Sequence, residues 1–145
     1  MGVRYIVSDG GRVVIEKWVG NVSHAEVINH EKEQCNDQSI AQGAVVIVDA
    51  RQAVFPQTTS EGLREFACVL AEPDSKTKFS RFALMVAGEI WEKAKILESE
   101  TEERGVRIIT FSDLDIACTW LGLDTKNILE ALRVLSSNGP DAGDG

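Results

Sequence analysis

This sequence has no long hydrophobic run. No stretch approaches the ~20 consecutive apolar residues that a membrane-spanning helix needs, so no transmembrane segment is expected. The opening MGVRYIVSDGG has only a few apolar residues in a row, too few for the core of a signal peptide, and the cytoplasm is the expected location. Cysteine is scarce: Cys35, Cys68 and Cys118 are odd in number and have no close pair, which argues against a disulfide framework and a zinc knuckle. Cys68 and Cys118 fall in apolar helical patterns, so both are expected to be buried and to act as small hydrophobes. No basic neighbour marks a thiol of lowered pKa. The two histidines, His24 and His30, are six apart and share no helical face, so no metal site is expected. Positive charge is in deficit, with 15 Lys and Arg against 23 Asp and Glu and a net charge of −8. That balance disfavours non-specific binding to nucleic acid or to anionic membrane surfaces. There is no Ser-His-Asp order, no glycine-rich phosphate loop and no paired-carboxylate motif, so neither an enzyme nor a cofactor is expected.

What the chain does have is one strong buried-strand signal. Its 145 residues fit a single domain with one core, expected over residues 1–136. Ala44 to Val48 is continuously apolar and mostly β-branched, as in a parallel strand covered on both faces. Asp49 closes that run, Pro56 follows, and a helix start is read at Thr58 to Glu61, with Thr58 as N-cap and Glu61 completing a capping box. The rest of the chain is organised around this unit. Val3–Ser8 and Arg12–Val19 form a β-hairpin across Asp9-Gly10-Gly11. Ser23 and Glu26 form a capping box for a first helix in which Val27, Ile28, Glu31 and Cys35 lie on one face, so its apolar stripe is narrow. The second helix carries Leu63, Phe66, Ala67, Leu70 and Ala71 on one face and ends at Pro73. Residues 74–78 read as a loop, 79–87 as a fourth strand, 89–104 as a third helix and 106–111 as a fifth strand. Asp113 opens a fourth helix and Asp124 a last one, on which Ile128, Leu132 and Leu135 align. The acidic, glycine-rich tail, residues 137–145, is expected to be disordered. The predicted fold is α/β: one mixed five-stranded sheet, an opening antiparallel hairpin followed by βαβ units, with helices packed on it.

Four stretches carry a family resemblance: the opening hairpin, VVIVDAR in the third strand, FALMVAG in the fourth, and RIITFSDLDIACTWLGL at the fifth strand and fourth helix. In these the chain resembles the SpoIIAA-like, STAS-type domains, specifically the bacterial STAS/SEC14-like branch, over roughly residues 3–123. The helix from Thr125 lies outside the resemblance. The family implies a non-enzymatic regulatory or protein-interaction module. In the anti-sigma-factor antagonists of that family, a D-S-S-G-L motif opens the second helix and one serine in it is phosphorylated. Here the matching place is Ser60-Glu61-Gly62-Leu63. Glu61 stands where that serine would be, and no Asp precedes it.

The candidate binding or regulatory residues are therefore Asp49, Arg51, Thr58, Thr59, Ser60 and Trp91. If parallel strands three and four end on the same sheet edge, the loops after Asp49 and Ala87 lie together, and two helix N-termini and Arg51 make a positive patch there. Plain helix capping is the simpler account of Thr58, Thr59 and Ser60, and core packing is that of Trp91 and Trp120. The expected partner is another protein or, as the alternative, a small apolar or lipid-like ligand held between the second and third helices. The apolar stripe on the last helix, or the sheet edge made by the hairpin, suggests a homodimer with two-fold symmetry.

Overall fold

The computed structural model describes residues 2–56 and 58–137. Beyond Ser137, the expected disordered tail lies outside the described residues. Five strands form one mixed sheet in the order β1 (Val3–Ser8), β2 (Val13–Asn21), β3 (Ala44–Val54), β4 (Phe79–Met85) and β5 (Ile108–Phe111). β1 is antiparallel to β2, and every other neighbouring pair is parallel. The hairpin turn is a single 3-10 turn at Asp9–Gly11, in which Gly10 takes φ 65° and Gly11 φ 92°. Gly11 is needed for space as well as for its backbone angle, because a Cβ there would stand 2.5 Å from the Ser39 carbonyl oxygen.

Among the described residues six α-helices accompany the sheet: α1 (His24–Cys35), α2 (Ser60–Leu70), α3 (Pro73–Lys78), α4 (Ile90–Glu103), α5 (Leu114–Leu121) and α6 (Thr125–Ser137). α1 starts at the predicted capping box. The Glu26 amide donates to Ser23 Oγ at 3.1 Å, and the Ser23 amide donates to Glu26 Oε1 at 2.9 Å. Asp113 caps α5 by accepting from the Ile116 amide at 3.1 Å. Period-two alternation along the central strands divides the core into two layers. Val14, Trp18, Val46, Val48 and Phe82 pack under α1, α2 and α4 through Val27, Leu70 and Leu97. Val13, Ile15, Ile47, Ala83 and Met85 pack under α5 and α6.

Several expectations need correction. Residues 74–78 are not a loop. Pro73 occupies the first turn of α3, where its fixed φ and missing N–H cost nothing, and the Lys76 amide closes the turn on the Glu72 carbonyl at 2.9 Å. The polar residues of α3 are usable inside because they have partners: Lys78 Nζ donates to the carbonyls of Cys35 and Asp37 at 3.1 and 2.8 Å. Cys68 is exposed rather than buried. At 100° per residue it turns outward with Glu61, Arg64 and Glu65. Cys118 is buried as expected. Val45 is only half-buried, while Val46 and Ile47 are fully buried.

Most consequential for the site, β3 does not close at Asp49. It runs five residues further, because β2 extends to Asn21 and offers a ladder to Gln52, Ala53 and Val54. The stripe of α6 is covered by its own domain: Ile128, Leu132 and Leu135 are buried with Val13 and Ile15 of the sheet.

Candidate functional site

The sequence-predicted residues fall into separate places. Asp49 is buried within β3 and is the acceptor of a compact ion-pair group. Lys17 Nζ on β2 reaches it at 3.3 Å, and Arg51 donates from Nε at 2.9 Å and from Nη2 at 3.1 Å. Burial alone would raise the Asp49 pKa. The Arg51 hydrogen bonds and the Lys17 charge outweigh it and hold the carboxyl below its usual range. Asp49 shares a face with Ile47, the α5 side of the sheet, and the Arg51 guanidinium paired with it also feels Asp113 at the start of α5.

Thr58, Thr59 and Ser60 lie on the opposite side. Thr59, not Thr58, caps α2: it is extended, and its Oγ1 accepts from the Gly62 amide at 3.0 Å. Ser60 is the first helical residue and is exposed, so Glu61 falls at the second helical position and no capping box forms. The Thr58 amide closes a turn on the Phe55 carbonyl at 3.3 Å, and Thr58 itself lines a cavity. Trp91 packs half-buried at the start of α4, with Lys95 Nζ 5.2 Å from its ring centre. It is not among the cavity-lining residues.

That cavity, about 100 Å3, lies between the sheet and helices α1, α2 and α4. Val48, Leu63, Phe66, Leu70, Phe82 and Leu97 give it an apolar wall. One end is polar, built by Glu16, His30 and Glu31. Glu16 sits between Val14 and Trp18 on the inward face of β2 and is 2% exposed. It accepts three hydrogen bonds: from Trp18 Nε1 at 2.9 Å, from His30 Nε2 at 2.9 Å and from Gln34 Nε2 at 2.8 Å. Burial pushes Glu16 up, but the His30 charge and these three donors hold it below its usual value. The opposite balance applies to His30. Burial pulls it down, while the Glu16 charge and hydrogen bond hold it above its usual value. The Tyr5 and Trp18 rings meet His30 edge-on at centroid distances of 5.6 and 6.0 Å.

Glu31 is 3% exposed and differs from Glu16. Its Oε2 accepts from Ser75 Oγ at 2.9 Å and, more weakly, from Cys35 Sγ at 4.0 Å, while among the described residues no hydrogen bond is made to its Oε1. Burial, then the neighbouring Glu16 charge, push its pKa up to about 7, against smaller opposing effects of Ser75 and His30.

The cavity meets the surface where α1 and α2 begin. Ser23, His24, Thr58 and Gly62 belong to its lining, and a groove lined by His24, Thr58, Thr59, Glu61, Gly62 and Glu65 adjoins it. His24 Nε2 and Glu65 Oε1 are 2.9 Å apart across that groove. Sequence reasoning missed the polar end. A partial signal was present on α1, where Glu31 shares a face with Val27; His30 and Gln34, which the stripe left out, are buried as well. Among the described residues no group of three or more His, Cys, Asp or Glu is placed to hold a metal ion. No helix among them is long and apolar enough to cross a membrane.

No family model matches the sequence, and no curated protein matches it. Among solved structures, the chain is similar to the crystal structure of an uncharacterized protein of the DUF3478 family with a SpoIIAA-like fold from Shewanella loihica PV-4. The two share 17% identity over 83% of this chain and 94% of that one, with a TM-score of 0.54. The hairpin-led mixed sheet with helices on both faces is a SpoIIAA-like fold.

Proposed function

We propose that this domain is a non-catalytic binding module that holds a small, largely apolar ligand in the cavity under α1, α2 and α4. The observation that carries this reading is the cavity itself: about 100 Å3 in volume, walled by aliphatic and phenyl side chains, and reached from the surface between two helix N-termini. Its size decides the ligand's scale. An apolar cavity of ~150 Å3 takes a guest of benzene size, whereas drug-sized ligands need ~300 Å3 or more. The guest is therefore a single ring or a short branched chain.

A binding role also fits how the polar groups are used. Glu16 is saturated by three donors, and the His30 nitrogen closest to it is taken up by that pair. Neither is free to move a proton to a substrate. In this reading Thr58 and Thr59 line the entrance, Ser60 stands exposed next to them, and this side is where a partner protein would sense whether the cavity is filled. Asp49 ties β3 to β2 through Lys17 and pairs with Arg51 along its own strand, and Trp91 seats α4.

Titration with benzene, followed by methyl and indole NMR shifts, tests the reading. Shifts are expected at Trp18, Leu63 and Leu97, together with a higher melting temperature, since a ligand that binds only the native state stabilises it by mass action. An Ala94→Phe variant, which fills the cavity, should lose both responses. Native mass spectrometry of protein from its own host is expected to show a small bound mass. No shift with benzene and no bound mass would sink the proposal and leave a protein-interaction role.

A further inference from the structure

We infer that the cavity selects, among small apolar molecules, those that carry a cationic amine, and that Glu31 is the residue that reads it. This rests on the binding role proposed above and specifies its ligand class. Three observations lead to it. First, apart from its mouth and Lys93, the cavity is apolar except at one end, so an enclosed guest finds its polar contacts there. Second, the groups at that end are unequally committed. Glu16 gives its two oxygens to Trp18, His30 and Gln34, but Glu31 spends only Oε2, on the Ser75 hydroxyl and the Cys35 thiol, a weak donor. A carboxylate has room for more acceptor bonds than that, and Glu31 is 3% exposed, so what is open on it faces the cavity it lines. Third, the charge at this end is unbalanced. Glu16 and Glu31 face one imidazole, that of His30.

A guest ammonium would donate to the open Glu31 oxygen and leave the end with two positive and two negative groups. A guest carboxylate would add a third negative group, which a dry site tolerates poorly. The other cations nearby do not alter this balance. Lys78 from α3 has its ammonium on the carbonyls of Cys35 and Asp37. Lys93 from α4 lines the cavity but is only half-buried, and His24 is turned to Glu65 at the rim. Burial raises Glu31 until it loses its proton only about pH 7. A bound ammonium would favour the ionised form, so the carboxyl can be watched as a reporter.

The test compares n-butylamine, 1-butanol and butyrate by NMR titration at about pH 8, with wild type and Glu31→Gln. The amine is expected to bind at least about tenfold more tightly than the alcohol, as a charge-assisted hydrogen bond in a dry site should give, and butyrate more weakly than either. In Glu31→Gln the amine preference should fall to within about threefold. The carboxyl carbon of Glu31, followed in the wild-type chain, should titrate at lower pH with saturating amine than without it; this reading stands even if the variant folds poorly. Benzene and 1-butanol binding with no amine preference, or an amine preference that Glu31→Gln leaves intact, overturns the inference and spares the binding role. Tighter binding of butyrate also overturns it, in favour of Lys93 as the reader. If none of these probes binds, both readings fall.

Discussion

Glu16 is a carboxylate on the inward face of a core strand, flanked by Val14 and Trp18. It is tolerated there because three donors converge on it. Removing the acceptor would leave the Trp18 indole, the His30 imidazole and the Gln34 amide buried without it, and breaking such a pair costs about 3–5 kcal/mol. Glu16→Leu is expected to lose that much in urea denaturation, and Glu16→Gln distinctly less. An unchanged midpoint in Glu16→Leu would mean that the cluster adds no stability. The same groups set a pH dependence. Glu31 ionises at 4.5 when unfolded but at about 7 when folded, so the native chain keeps a proton that the unfolded chain has lost, and stability falls as pH rises across that window. His30 is held above 6.5; its contribution is complete below 6.5 and is lost as pH rises through its folded value. Glu16 is held below 4.5; its contribution is present above 4.5 and is lost as pH falls through its folded value. Together these place maximum stability near about pH 4.5, where the Glu16 contribution is present and the Glu31 loss begins, well on the acid side of neutrality. Urea midpoints should drop between about pH 5.5 and about pH 8. Glu31→Gln should remove part of the drop, and a midpoint that rises over that interval would contradict the assignment.

At the scale of elements, helix starts and the central strand were legible because their signals are local. A capping box needs two residues three apart, and Ser23 with Glu26 forms one as read. The start of α2 was legible only to within a residue, because Thr58 and Thr59 are chemically alike and the choice between them depends on which one the preceding turn leaves extended. The assignment has a direct test: Thr59→Ala should cost about 1 kcal/mol of stability, and Thr58→Ala much less. Equal losses would put the cap back in doubt. The end of β3 was not legible, because an Asp after an apolar run normally marks a strand end. Here Lys17, 32 residues earlier, and Arg51 neutralise it, and the strand continues. The cavity's polar end was hidden for the same reason. Glu16, His30, Glu31 and Ser75 come from β2, α1 and α3, and no periodicity links them. The buried centre of β3 offers a plain check. Val46→Asp would place an unpaired charge at a fully buried position and should cost several kcal/mol, seen as a much lower melting temperature.

At the scale of the whole molecule, α6 completes the second core layer instead of offering its stripe to a second copy. Ile128, Leu132 and Leu135 are each at most 5% exposed. Leu132→Ala should therefore destabilise the chain by about 2–5 kcal/mol with no change in its mass by light scattering. A change of mass with unchanged stability would show that this face holds an assembly together. Any homodimer has to use another surface, such as the outer edge of β1.

α6 also covers β1 and β2, the first strands of the chain, and the Arg4 guanidinium donates to the Leu135 carbonyl 131 residues away. This sets an order of events during synthesis. The layer that contains Val13 and Ile15 stays open until the last described helix has emerged, so on the ribosome the hairpin's outer face is bare for almost the whole of translation. Contacts between such distant residues form late and slowly, and an exposed apolar strand face on a nascent chain is the kind of surface that chaperones hold. A chain stalled before Thr125 would present that face for as long as the stall lasted.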